Sequence, residues 1–312
     1  MRKSGVLKAT RLCALLCSVL FFSCGGAQSG ESSAVASSDY SAPVQVGTIQ
    51  TDEVKESSGL AASLCQQNVL WTHNDAGRDS FIYGLNPEGR HLGTWKIPNA
   101  QNTDWEDIAA YKEGGKCFLY IGDIGDNDES RSDVTVYRIP EPAVSPQAAN
   151  SSTKAPLQTE SAEAFRFTYA DSKHNAETLL VHPQTGDIYI VTKEKKGPAS
   201  VYKARPVFGS ADVAKAEKIS DIAVPGDPEG RLTGGAISPD GTRVILCDLK
   251  NGYEFKLPAG AADADAFWQQ KPSIVNLGDR PQGEAVSYTA DGTAIYASSE
   301  KKNAPLFLIK RK

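Results

Sequence analysis

The chain alternates short apolar segments with clusters of Gly, Pro, Asn and Asp over most of its length. Segments such as VLWTH, FLYIG, IYIVT and VILCD are rich in β-branched and aromatic residues. Apolar positions at helical spacing are scarce. Because short β-branched and aromatic runs bounded by turn residues are typical of β-strands, the pattern predicts an all-β protein.

The same order of segments recurs along the chain. A marker residue precedes a short strand with small residues, a turn, a more apolar strand, a strand with an aromatic residue and a more polar strand. Intervals of 50, 71, 56 and 51 residues separate the five markers, which are Glu56, Glu106, Glu177, Thr233 and Glu284. Four strands in a period of about 50 residues are typical of the blades of a β-propeller.

The two ends of the repeat array complement each other. The last unit has only three strands, and residues 44–51 (VQVGTIQT) form a predicted strand without a unit. We expect this N-terminal strand to complete the last blade and close the ring, which removes open sheet edges. The sequence predicts one propeller domain over residues 44–312 with five four-stranded blades, and six blades are the alternative. The Pro-, Ser- and Ala-rich stretch 140–163 favours a loop insertion over a sixth blade.

The N-terminus has the pattern of a targeting segment. Basic residues precede an apolar stretch at 12–22 that is too short to span a bilayer, which predicts a signal peptide over residues 1–23. The segment LFFSCGG places Cys24 where bacterial lipoproteins carry their lipid, although a plain secreted protein is the alternative. Residues 24–43 then form a flexible, lipid-attached tether. We therefore expect a location in the cell envelope, in the periplasm or at the cell surface, with the membrane contacted through the lipid alone.

Charge and cysteine content refine this picture. Loss of residues 1–23 removes four basic residues and no acid, so the formal net charge changes from −5 to −9. An acidic exported protein is not expected to bind nucleic acid and is better suited to cations. Export permits disulfides, and both a Cys65–Cys117 bridge and free thiols are open alternatives. Cys247 lies in an apolar strand and is predicted to be a buried free thiol.

Acidic residues occupy two positions that a propeller brings together. The loops that enter first strands and those that follow second strands emerge at the same end of the channel. The first position holds Glu56, Glu106, Glu177 and Glu284, and the second holds Asn74, Asp75, Asp123, Glu194, Asp248 and Glu300. Since Ca²⁺ takes about six to eight oxygen ligands, these residues predict a calcium site at the channel mouth. The predicted ligands are Glu56, Asn74, Glu106, Asp123, Glu177 and Glu284.

Two alternatives to a metal site remain open. Lysines interleave with the acids in TKEKK and SSEKK, so a network of ion pairs could neutralise the ring, or the mouth could be a mixed substrate pocket. His73, beside Asn74 and Asp75, is a candidate general base, and Glu106 is the second catalytic candidate. A nucleophile elbow, HExxH, P-loop or dinucleotide fingerprint is absent from the sequence, so covalent serine catalysis and nucleotide chemistry have no motif to support them.

The segments ESSGLA, LWTHNDAG, DWEDIA, YIGDIGDN, IYIVTKE, ISPDGTRV and GEAVSY give the chain a family likeness over about residues 50–312. It resembles exported bacterial propellers that are grouped loosely with the SdiA-regulated and esterase-like phytase propellers. It is also similar to paraoxonase-like and gluconolactonase-like propellers, which implies Ca²⁺ at the channel mouth on residues of the types found here. Thr233 departs from a complete acidic ring.

These observations lead to two hypotheses about function. The first is an exported lipoprotein whose Ca²⁺-binding mouth binds or hydrolyses a small ester, lactone or phosphoester. The second is a non-catalytic propeller scaffold that binds protein or glycan, with its acidic ring neutralised by lysines. The expected partners are a divalent cation and an unknown small molecule or glycan.

Overall fold

Antiparallel β-strands are the main regular element of the computed structural model, which describes residue 37 and residues 39–77, 79–227 and 230–312. These residues contain 21 strands and two 3-10 helices, Pro146–Asn150 and Ala264–Gln269. The prediction of an all-β protein is confirmed. The predicted signal peptide, Cys24 and most of the predicted tether lie outside the described residues. No helix in the described ranges has the length and hydropathy needed to cross a bilayer.

The strands fall into antiparallel groups of four, and a parallel strand pairing joins two of these groups into one eight-stranded sheet. The first group is β2 (Ser57–Ala62), β3 (Leu70–Asn74), β4 (Phe81–Leu85) and β5 (His91–Lys96). The second is β6 (Trp105–Glu113), β7 (Lys116–Asp123), β8 (Val134–Pro140) and β10 (Glu163–Tyr169). The third is β11 (Ala176–Val181), β12 (Ile188–Thr192), β13 (Ala199–Ala204) and β14 (Val213–Ile222).

The remaining strands complete this arrangement. The fourth group is β15 (Gly234–Ile237), β16 (Arg243–Cys247), β17 (Asn251–Lys256) and β18 (Ser273–Asn276). The fifth group combines β19 (Gly283–Tyr288), β20 (Ala294–Ser299) and β21 (Pro305–Lys310) with β1 (Val44–Thr48) from the N-terminus. β1 pairs antiparallel with β21, as the sequence predicts for the closing strand.

The first strands of the groups surround a central channel. β2 contacts β6, β6 contacts β11, β11 contacts β15, β15 contacts β19, and β19 returns to β2. Four-stranded sheets arranged radially around a channel define a β-propeller, and we call each group a blade.

Glycine is required where neighbouring first strands approach each other. A Cβ atom at Gly59 would lie 2.6 Å from the backbone nitrogen of Ile108 in the next blade. A Cβ atom at Gly234 would lie 2.3 Å from the carbonyl oxygen of Glu284. Contacts this short leave no room for a side chain, which explains the small residues in these strands.

The channel is filled below its upper mouth. Apolar side chains, including Leu60, Ile108 and Leu179, line a lower space of only about 50 Å³. Asp107 lies buried among them, and its carboxylate accepts hydrogen bonds from the backbone nitrogens of Ile108 at 2.8 Å and Leu179 at 3.0 Å. Burial raises the pKa of Asp107 well above its usual range, while hydrogen bonds from backbone N–H groups, including that of Gly235, oppose the rise. This carboxylate therefore joins the first strands of three blades.

The insertion at 140–163 packs on the outer edge of the first blade instead of forming a blade. It contains the 3-10 helix Pro146–Asn150 and β9 (Leu157–Gln158), which pairs in parallel with β5. The hydroxyl of Thr153 donates a hydrogen bond of 2.9 Å to Glu53, which precedes the first blade.

Two further contacts tie the blades together. Cys65 and Cys117 form a disulfide between the first two blades, which decides between the alternatives left open by the sequence, and Cys247 is a buried free thiol as predicted. At the N-terminus, the hydroxyl of Tyr40 donates to the buried carboxylate of Glu254 in the fourth blade. The last residues of the predicted tether therefore pack against the propeller.

Candidate metal centre

A pocket of about 300 Å³ lies at the end of the channel where both sets of acids were predicted to meet. We call it the acidic pocket. It is lined by Glu56, Ser58, Asp75, Glu106, Asn127, Glu177, Lys193, Gln282, Glu284 and Glu300. Among these described residues, six acids face a single basic side chain, Lys193. The structure thus brings together four of the six predicted ligands: Glu56, Glu106, Glu177 and Glu284.

Local irregularities in the first strands place three of these acids. Glu106, Glu177 and Glu284 are each the second residue of their strands, β6, β11 and β19. The pairing register with the following strand shifts at each of them, between Trp105 and Asp107, Ala176 and Thr178, and Gly283 and Val286. A bulge of this kind re-aims a side chain, and bulges are common next to functional sites.

Glu106 is an almost fully buried acid of the acidic pocket. It is 6% exposed, and no described residue donates a hydrogen bond to its carboxylate. One oxygen each of Glu106, Asp75 and Asp104 lie within 4.8 Å of one another. Burial and the charge of Glu177 raise the pKa of Glu106 well above its usual range, and burial with the charge of Asp75 raises that of Asp104 to about 6. A cation at this point would remove the repulsion that raises both values.

The backbone at Gly125 closes one side of this group. A Cβ atom there would lie 2.2 Å from Oε1 of Glu106 and 2.3 Å from Oδ2 of Asp104. Glycine therefore lets the segment 124–127 approach the carboxylates directly. This close approach gives a structural reason for the glycine in the sequence GDIGDN.

Glu177 is the acid that a lysine partly neutralises. The amino group of Lys193 lies 2.7 and 2.6 Å from its two carboxylate oxygens. Burial raises the pKa of Glu177 to about 7 although Lys193 lowers it, and burial together with the charge of Glu177 raises the pKa of Glu284 to about 8. Without a cation, the acidic pocket therefore retains protons near neutral pH.

Of the lysines in the predicted network, Lys193 is the one among the described residues that lines the acidic pocket. Lys193 pairs with Glu177. Lys195 donates instead to the carbonyl oxygen of Asn127, and Lys302 pairs with Asp52 outside the acidic pocket. Among the described contacts, a lysine ion pair therefore neutralises one lining acid, Glu177.

Asn74 and Asp123, the other two predicted ligands, do not line the acidic pocket. The side-chain oxygen of Asn74 accepts hydrogen bonds from the backbone nitrogens of residues 55 and 56, so it positions Glu56. Oδ1 of Asp123 accepts from the backbone nitrogen of Asp104 and from Arg131 at 2.9 Å. Through these hydrogen bonds, the two side chains fix the backbone beside the lining acids instead of facing the acidic pocket themselves.

His73 lies behind the acidic pocket and does not line it. The side chain is fully buried, its Nδ1 lies 3.0 Å from the carbonyl oxygen of Asn74, and its ring packs edge-on against Trp105. Burial lowers its pKa to about 4. The base predicted at His73 therefore has no access to the acidic pocket in this structure.

The fourth blade contributes no acid to the described lining. Thr233 occupies the marker position and donates a hydrogen bond of 3.0 Å to the carbonyl oxygen of Gly283. Buried Arg280 lies nearby and donates to the carbonyl oxygens of Ser298 and Asp248. The acidic pocket is therefore asymmetric, as the missing acid at Thr233 led us to expect.

Comparisons with known proteins give the fold a context. No protein-family model and no curated protein matches the sequence. Among solved structures, PQQ-bound aldose sugar dehydrogenase from Streptomyces coelicolor is 12% identical with a TM-score of 0.48, covering 89% of this chain and 100% of that one. The gluconolactonase XC5397 from Xanthomonas campestris is 10% identical with a TM-score of 0.45, covering 86% and 89%.

Hydrazine synthase from Kuenenia stuttgartiensis is 10% identical with a TM-score of 0.44, covering 85% of this chain and 97% of that one. At these levels of identity and superposition, the similarity carries no argument about the chemistry of the acidic pocket. The resemblance to the SdiA-regulated propellers remains a prediction from the sequence.

Proposed function

We propose that the acidic pocket binds a divalent cation, Ca²⁺ in the first place. The observation that carries the proposal is the carboxylate of Glu106, which is almost fully buried, faces the acidic pocket and receives no hydrogen bond from the described residues. Asp75 and Asp104 add oxygens within 4.8 Å. Glu177 and Glu284 stand beside them, and water can fill the remaining positions, because Ca²⁺ accepts carboxylate and water oxygens in flexible geometry.

The chemistry that such a site supports is hydrolysis of a small ester, lactone or phosphoester. The bound cation would polarise the substrate oxygen as a Lewis acid. Burial and the charge of Glu177 raise the pKa of Glu284 to about 8, so this group holds a proton near neutral pH when no cation is bound. A bound cation would displace that proton, and the ionised carboxylate could then act as the general base that accepts a proton from an attacking water. The volume of about 300 Å³ suits a small substrate. One observation supports the alternative hypothesis of a non-catalytic scaffold, namely the ion pair between Lys193 and Glu177.

Calcium titration by calorimetry tests the cation site. We expect wild-type protein to bind Ca²⁺ and to lose thermal stability when a chelator is added, because a ligand of the native state stabilises it. Glu106→Gln should weaken binding roughly 100-fold or more, since affinity follows the number of charged ligands. Glu113→Gln is the matched control, because Glu113 is exposed at the other end of the same strand. Absence of heat and of a chelator effect in wild type would refute the cation site.

Hydrolysis is tested separately with glucono-δ-lactone, p-nitrophenyl acetate and p-nitrophenyl phosphate. We expect turnover of at least one of them that stops with chelator and returns with Ca²⁺. Calcium binding without turnover of esters, lactones or phosphoesters would leave a binding protein and overturn the hydrolase proposal.

The lipid anchor is proposed from the sequence segment LFFSCGG alone. Metabolic labelling with palmitate should label wild-type protein, whereas Cys24→Ser should abolish the label. Equal labelling of both proteins, or of neither, would contradict the anchor.

A further inference from the structure

A second pocket of about 240 Å³ opens on the same face of the propeller, between the second and third blades. We call it the lateral pocket. The loops β7–β8 and β10–β11 form its rim, and the side chains of Val134, Phe167 and Tyr169 contribute an apolar part. The segment 124–133 separates it from the acidic pocket, because Asn127 lines one pocket and Arg131 lines the other.

The three acids of the lateral pocket already have partners within the chain. Asp126 accepts hydrogen bonds from the backbone nitrogens of residues 130 and 131. Asp133 forms an ion pair with Arg166 at 2.8 Å, and Asp171 accepts from the hydroxyl of Tyr202 at 2.8 Å. Oδ1 of Asp171 also accepts from the backbone nitrogen of Ser172 and lies 3.1 Å from Nε2 of His174. These carboxylates are therefore held in place, and the remaining acceptor capacity of Asp171 is on its Oδ2, because a carboxylate offers about four acceptor sites.

The donors of the lateral pocket are less fully used. Nη1 of Arg131 binds Asp123 at 2.9 Å, while its Nε and Nη2 have no partner among the described residues. The amino group of Lys173 makes one hydrogen bond, of 2.8 Å, to the carbonyl oxygen of Ser130, although it carries three protons. The hydroxyl of Tyr169 is buried without a partner in the described chain. The lateral pocket therefore combines spare donors with fixed acceptors.

Charge decides which class of ligand fits this combination. The lateral pocket is lined by three Asp carboxylates and two basic side chains, Arg131 and Lys173. With the ion-pair partners Asp123 and Arg166 the count is four carboxylates against three basic groups. An anionic ligand would meet a surplus of negative charge. A hydroxyl group meets no such penalty, because it can donate to a carboxylate and accept from a guanidinium or ammonium group at once.

We propose that the lateral pocket binds a neutral polyhydroxylated molecule of about the size of a monosaccharide. Its hydroxyl groups would accept from Arg131 and Lys173 and donate to Asp126 and Asp171, with the carbon skeleton against the apolar part of the pocket. This proposal does not depend on a cation in the acidic pocket.

The test uses the full-length protein, with the backbone amide resonances of positions 168 and 173 followed by NMR. The probes are D-glucose, D-galactose, N-acetyl-D-glucosamine and myo-inositol, each titrated into the millimolar range. We expect at least one of them to shift both resonances in a saturable way. Lys173→Met should weaken that binding about tenfold, the loss typical of one charge-assisted hydrogen bond.

The matched control is Lys116→Met, which removes an exposed lysine at the start of β7, on the opposite face, and should leave the affinity unchanged. Glycine and inorganic phosphate are titrated in parallel as zwitterionic and anionic probes. The proposal is overturned if no polyol shifts the two resonances, if Lys116→Met and Lys173→Met weaken binding equally, or if phosphate or glycine binds there more tightly than every polyol.

Discussion

The carboxylates of the acidic pocket should make the stability of the metal-free protein fall as pH rises from 6.5 to 8.5. Burial and mutual repulsion raise the pKa of Glu177 to about 7 and that of Glu284 to about 8. In the unfolded chain both groups are ionised throughout this window. The folded state therefore binds more protons than the unfolded state, so the free energy of unfolding falls as rising pH removes those protons.

The magnitude follows from integrating the difference in bound protons over the window. Between pH 6.5 and 8.5 the contribution of Glu284 to the free energy of unfolding falls by about 2 kcal/mol, and that of Glu177 falls by about 1 kcal/mol. Burial lowers the pKa of His73, His91 and His182, so these groups act in the opposite direction. They are half protonated in the unfolded chain at about pH 6.5, so they offset about 1 kcal/mol of the fall across the window and reverse the slope at more acidic pH. For a domain of this size the net effect of about 2 kcal/mol is a fall in Tm of roughly 4 °C.

The assay is thermal unfolding in chelator across this window, repeated with saturating Ca²⁺ and with Glu284→Gln. We expect Ca²⁺ to flatten the profile, because a bound cation replaces the protons. The substitution should remove the larger part of the slope and raise Tm at pH 8.5. A Tm in chelator that stays constant or rises with pH, or an unchanged slope in Glu284→Gln, would refute the electrostatic reasoning.

Three further substitutions test the fold. Asp107→Ala leaves buried backbone N–H groups of the channel without an acceptor, so urea unfolding should show a loss of at least about 3 kcal/mol, and Asp107→Asn should recover part of it. Gly59→Ala places a Cβ atom 2.6 Å from the nitrogen of Ile108, so its Tm should fall well below that of wild type, and an unchanged Tm would contradict the close packing. Replacing Cys65 and Cys117 together by serine opens a loop of 52 residues and should cost about 2–4 kcal/mol in denaturant unfolding under oxidising conditions.

The repeat in the sequence was sufficient to predict the propeller because turns and strand character are local properties. Four acids at the same position of the repeat were also enough to predict an acidic channel mouth, since propeller topology brings equivalent positions of different blades together. Glu106, Glu177 and Glu284 therefore meet as expected.

The finer geometry was not accessible from the sequence. Asn74 and Asp123 have ligand-type side chains, yet hydrogen bonds to neighbouring backbone hold them away from the acidic pocket. Asp104 was visible in DWEDIA but follows no repeat position, and its closeness to Glu106 depends on the bulge in β6. His73 neighbours polar residues in sequence, whereas strand alternation directs its ring into the core.

The apolar filling of the lower channel has a kinetic consequence. Leu60, Ile108 and Leu179 close the axis below the acidic pocket, so whatever enters the mouth must return by the same route. A cation held at Glu106 would lie beneath any molecule bound above it. Such a molecule would have to depart first, so chelators should strip the cation slowly while the mouth is occupied and quickly once it is vacant.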